Sequence, residues 1–87
     1  MRKFENDKGF LILEVSREEL VSALASYGCL GICDFCAESP ETGYYVAVLN
    51  QWLCKECFDD WYRFAERYHE DIPIEEKNYE CYRLLLL

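Results

Sequence analysis

A small α+β domain tied together by its own cysteines is what this 87-residue sequence predicts, and three observations carry that expectation. Two Cys-x-x-Cys pairs, Cys33/Cys36 and Cys54/Cys57, stand 17 residues apart and flank a predicted hairpin. The run Phe10-Leu-Ile-Leu-Glu-Val15 is β-prone. From Cys54 onward, apolar residues recur at three- and four-residue spacing, the signature of an amphipathic helix.

Length and composition narrow the reading. A chain this short buries only about 60% of its unfolded surface and usually leans on a metal, disulfides or a partner. Residues 1–87 read as one domain, with no flexible linker long enough to divide them and a metal-binding core over residues 31–70. Hydrophobic residues make up 52%, including seven Tyr, five Phe and two Trp, against 17 acidic and nine basic residues and a formal charge of -8. Such a charge repels phosphate backbones and suits a basic protein surface, including the channel of a nucleic-acid-binding enzyme. Met1–Gly9 is polar, and the run Phe10–Val15 is short and interrupted by Glu14, so no secretory leader is expected. No stretch approaches the roughly 20 apolar residues of a membrane span. A cytoplasmic location with reduced thiols follows as the expectation, ahead of a secreted three-disulfide domain.

The elements follow in order. After the strand Phe10–Val15, Ser16 is placed to cap a helix, with Glu19 as its capping-box partner. That helix is expected to reach about Tyr27, turning Leu20, Val21, Leu24 and Tyr27 inward, with Gly28 as its stop. A turn-rich stretch, Ala37–Gly43, leads to a strand at Tyr44–Val48, a reversal at Leu49–Gln51 and a return strand at Trp52–Leu53. A long helix from Cys54 would bury Cys57, Phe58, Trp61, Phe64 or Ala65, and Tyr68, and end at Pro73. Glu75–Asn78 reads as a loop. Tyr79–Leu87 reads as a last strand beside Phe10–Val15, in the same chain or across a homodimer.

Thiolates separated by two residues can turn inward on one ion, and two such pairs complete a tetrahedral four-sulfur shell. Zn²⁺ suits it best and iron is the alternative. Four protein ligands leave no position for water or substrate, so the expected role is structural. Amides at a helix start favour thiolates, which suits Cys54 and Cys57. Cys33-Asp-Phe-Cys36, a hairpin, and Cys54-Lys-Glu-Cys57 opening a helix together resemble the treble-clef family of zinc domains over residues 31–70. The resemblance implies a knuckle, a β-hairpin and a helix around structural Zn²⁺, with an N-terminal strand and helix and a C-terminal strand added. Its commonest knuckle carries Gly after the second cysteine, where Ala37 stands here. Cys29 and Cys81 are expected in the core, although Cys29 lies close enough to Cys33 to compete as a ligand. His69 is expected as a solvated residue near the helix end.

Three function classes remain. A non-catalytic interaction or regulatory module would use the abundant aromatics, Tyr44, Tyr45 and Trp52 among them, as anchors. It would offer carboxylates at Asp59, Asp60, Glu66, Glu70, Asp71, Glu75 and Glu76 to a basic surface. In size and acidity the chain resembles small phage or mobile-element inhibitors, including anti-CRISPR proteins, which implies mimicry of nucleic acid. Direct nucleic-acid binding is disfavoured, because residues 59–80 carry eight acidic and three basic side chains. No catalytic pairing of nucleophile and base is visible, so no enzyme is expected.

Overall fold

The computed structural model describes residues 1–28 and 31–86. Its elements run β1 (Arg2–Lys3), β2 (Ile12–Ser16), α1 (Arg17–Leu24), a 3₁₀ turn (Ala25–Tyr27), β3 (Thr42–Val46), β4 (Gln51–Leu53), α2 (Lys55–Phe64), a second 3₁₀ turn (His69–Asp71) and α3 (Ile72–Leu86). The strands form one antiparallel sheet in chain order, β1-β2-β3-β4. β3 and β4 are the expected hairpin, with Tyr45 opposite Trp52, and Asn50 takes a left-handed conformation at its turn (φ 54°).

Side chains alternate across a strand, and here both faces of the sheet are buried. Ile12, Tyr44, Val46 and Leu53 face α2 and pack with Phe10, Cys33, Cys54 and Phe58. Leu13, Val15, Tyr45, Ala47 and Trp52 face the other way and pack with Leu20 and Leu24 of α1 and with Tyr79, Tyr82 and Leu86 of α3. Tyr45 and Tyr82 stack with ring centroids 3.6 Å apart. Tyr44, Tyr45 and Trp52 are therefore core residues and not surface anchors.

The start of α1 follows the sequence expectation. The Glu19 backbone N–H donates to Ser16 Oγ at 3.1 Å, and the Ser16 N–H donates to the Glu19 carboxylate at 3.1 Å. A cap of this kind contributes about 1 kcal/mol. Leu20 and Leu24 are buried, but Tyr27 is 73% exposed, because the last turn tightens to 3₁₀ and swings it off the apolar stripe.

α2 stops at Phe64 and does not reach Tyr68. The Lys8 ammonium donates to the carbonyls of Tyr62 and Ala65, satisfying acceptors that another helical turn would have used, and Ala65 is extended (ψ 137°). Of the alternatives Phe64 or Ala65 it is Ala65 that packs against the core, and Phe64 and Tyr68 are exposed.

The C-terminal third departs furthest from expectation. Pro73 does not end a helix; it is the second residue of one, where its missing N–H costs nothing. Residues 75–86 are helical, so Glu75–Asn78 is not a loop and Tyr79–Leu86 is not a strand. β2 already has β1 and β3 on its two edges, leaving no place for a further strand, and the strand expected to mediate a homodimer is a helix. Leu87 lies outside the described residues. The inward stripe of α3 holds Glu75, Asn78, Tyr79, Tyr82 and Leu86. Glu75, 1% exposed, accepts the Leu11 backbone N–H at 3.1 Å and the Arg67 guanidinium at 2.8 Å. Asn78 donates to the Ala47 carbonyl at 2.9 Å. Polar partners of this kind let the helix dock through a stripe that is only half apolar.

Gly43 gives a direct check of the packing. A Cβ at this position would lie 2.4 Å from the Trp52 indole, whose Nε1–H donates to the Val15 carbonyl at 3.2 Å. Gly43→Ala should cost about 1–3 kcal/mol by overpacking, read as a lower urea midpoint. An unchanged midpoint would mean that the indole does not lie over β3.

Candidate metal centre

The centre is assembled from two chain segments that the hairpin brings back to one another. Residues 33–38 form a tight knuckle: the Cys33 N–H donates to the Glu38 carbonyl at 2.8 Å, and the Ala37 N–H donates to the Cys33 carbonyl at 3.0 Å. The Phe35 N–H donates to Cys33 Sγ at 3.4 Å, so the turn itself aims an amide at a sulfur. Cys54 is the N-cap of α2, its carbonyl accepting the first helical bond from Phe58 at 2.8 Å, and Cys57 stands in the first turn.

Asp34, between the knuckle cysteines, joins the two segments. Its backbone N–H donates to the Trp52 carbonyl at 3.0 Å, and its carboxylate accepts the Trp52 backbone N–H at 2.8 Å. The knuckle thus adds itself to the outer edge of β4, two residues before Cys54. Sequence reasoning missed this residue. The only signal was an Asp in a turn, a type that often bonds nearby backbone, and nothing pointed to a strand 18 positions away.

All four sulfurs lie within 4.8 Å of one another, and Cys36 Sγ is 3.6 Å from Cys54 Sγ. Zn–S bonds of about 2.3 Å in a tetrahedron place sulfurs roughly 3.8 Å apart, so this spacing fits such a shell. The four cysteines are positioned to bind a metal ion, and they form the one such group among the described residues. Cys33 and Cys54 are buried in the α2-side core, Cys57 is half-buried and Cys36 is exposed.

The thiols differ in how readily they ionise. Burial opposes ionisation of Cys33, but amides of Cys54, Cys36 and Phe35 outweigh it and bring the thiol down to about 7. For Cys57, burial and then the Cys54, Cys36 and Cys33 sulfurs push the thiol well up. The Glu38 amide is the largest influence on Cys36 and lowers it, yet desolvation and the Cys54 and Cys33 thiols together raise it. Cys33 is thus the thiol that ionises most readily, and burial with the neighbouring thiols holds Cys57 back.

The remaining candidates stand apart. Cys81 is exposed on the outer side of α3 and not in the core, because the last segment is a helix whose inward stripe passes through Tyr79 and Tyr82. His69 is exposed, as expected, but lies in a 3₁₀ turn leading into α3 and not near the end of a long helix. Cys29 lies outside the described residues. Comparison with protein-family models, with curated proteins and with solved structures gives no match.

Ala37 occupies the left-handed region (φ 64°), the conformation for which glycine is the usual choice. The knuckle therefore makes its turn at the cost of a Cβ in a crowded backbone geometry. Ala37→Gly should stabilise the folded protein by about 1 kcal/mol, measured by chemical denaturation in the presence of metal. Asp34→Ala removes the carboxylate from the Trp52 amide and should destabilise by about 1–3 kcal/mol. No loss of stability in the second variant would remove Asp34 from the assembly of the site.

Proposed function

We propose that Cys33, Cys36, Cys54 and Cys57 hold one structural zinc ion in a treble-clef-like core, and that the domain is a non-catalytic interaction module for a basic protein surface. The observation that carries the metal part is the closure of four cysteine sulfurs from a knuckle and a helix start around one point. A tetrahedral all-thiolate shell suits Zn²⁺, and its four protein ligands leave no open coordination position. The order of knuckle, hairpin and helix over residues 33–64 supports the treble-clef reading.

The interaction part rests on charge and exposure. Glu56, Asp59 and Asp60 lie exposed on α2, Glu66 and Glu70 on the connector, and Glu76 and Glu80 on α3. Glu75, buried under Arg67, does not belong to this surface. Asp59 pairs with Lys55, Asp60 with Arg63 and Glu80 with Arg83, but exposed pairs of this kind exchange readily with a partner's cations. Phe35, Phe64, Tyr68 and Ile74 supply exposed apolar contacts.

Elemental analysis of protein purified without added metal should give about one zinc per chain, because binding at such a site supplies on the order of 10 kcal/mol of folding free energy. A near-zero metal content with an intact cooperative fold would overturn the metal reading. Affinity capture from the source cell at low salt should recover a basic partner whose binding weakens with salt, chiefly through slower association. Reversing Asp59, Asp60, Glu66 and Glu70 to Lys should weaken it further while leaving zinc content unchanged. Unaltered binding of that variant would take the acidic face out of the mechanism. If the partner is a nucleic-acid enzyme, competition with its DNA or RNA supports the inhibitor reading, and simultaneous binding supports a neutral adaptor.

A further inference from the structure

We propose that the metal centre is a redox-sensitive clasp, entered by peroxide at Cys36 and opened by a disulfide between Cys36 and a second ligand. The inference rests on the zinc reading above and adds regulation to that site. The four sulfurs are not equivalent in access. Cys33 and Cys54 are 3% and 8% exposed and embedded among Phe10, Ile12, Tyr44, Leu53 and Phe58, whereas Cys36 is exposed at the tip of the knuckle. An oxidant from solvent therefore reaches Cys36 first.

Cys54 Sγ lies 3.6 Å from Cys36 Sγ, close enough to act as the resolving sulfur. In the first step the Cys36 thiolate attacks one oxygen of hydrogen peroxide; the S–O bond forms, the O–O bond breaks and hydroxide leaves. In the second, the Cys54 thiolate attacks the Cys36 sulfur; the S–S bond forms and the S–O bond breaks, releasing a second hydroxide. Two thiolates have lost two electrons, and with two protons from solvent the peroxide has become two waters. A disulfide sulfur no longer carries the negative charge that made it a ligand, so two of the four ligands are lost together.

The consequence reaches the fold because Cys54 is both a ligand and the N-cap of α2, and because Cys33 and Cys54 belong to the α2-side core. Losing the ion releases the knuckle and the helix start from one another. Reduction and fresh zinc reverse the change, since a disulfide is at a recoverable level of cysteine oxidation.

The test uses the intact wild-type protein, with zinc content measured before oxidant is added. Sub-stoichiometric hydrogen peroxide should release about one zinc per peroxide consumed, followed with a chromogenic chelator, with a parallel loss of near-ultraviolet circular dichroism. Alkylation and peptide mapping should find Cys36 in the first disulfide, with Cys54 its main partner. Dithiothreitol and zinc should restore the signal. Zinc retained while Cys81 is oxidised, or a first disulfide that lacks Cys36, would overturn the proposal and leave the zinc reading intact. Protein that carries no zinc at the outset would overturn both.

Discussion

Four sulfurs held within 4.8 Å of one another are the constraint on which the α2 side of this molecule depends. Thiols so close cannot all ionise beside one another, since each thiolate formed raises the cost of the next. A divalent cation reverses the sign of that interaction and turns repulsion into a clasp. The chain prepares the convergence with its own backbone and side-chain contacts. Phe35 and neighbouring amides point at Cys33, Asp34 binds both backbone groups of Trp52, and the N-terminus of α2 presents Cys54 and Cys57 to the knuckle. None of these contacts is large by itself. Together they bring the four sulfurs to the spacing that a metal ion needs.

The knuckle also solves a problem of the sheet. β4 is three residues long and lies at the sheet's end, where unpaired backbone groups invite aggregation. Asp34 covers that edge through the Trp52 backbone. At the opposite end β1, with its two charged residues, forms the other short edge. Between them, the two faces of β2 and β3 are buried against different partners, with α2 and the cysteines on one and α1 and α3 on the other. A chain of 87 residues thus builds two thin cores on one sheet, which accounts for its high content of large apolar residues.

What was legible in the sequence is what short-range chemistry determines. The paired cysteines, the Ser16–Glu19 box, the β3–β4 hairpin and the start of α2 all announce themselves within a few residues. The failures share a different cause. α2 ends early because Lys8, more than 50 positions away, takes its terminal carbonyls. α3 was hidden because its buried stripe contains Glu75 and Asn78, which interrupt an apolar pattern and are satisfied only by Leu11, Arg67 and Ala47 at a distance. Pro73 then looked like a stop when it was a start. At the metal centre, the cysteine spacing was local and visible, whereas Asp34's link to β4 was long-range and silent.

The central claim is that metal binding and the integrity of the knuckle, β4 and the start of α2 are one event. Hydrogen exchange read residue by residue, before and after a chelator strips the metal, tests it most directly. The account predicts that the amides of Cys33, Asp34, Ala37, Trp52 and Phe58 lose protection together, because their hydrogen bonds frame the site. Protection retained at these amides in metal-free protein would show that the fold stands without its clasp and would contradict the account.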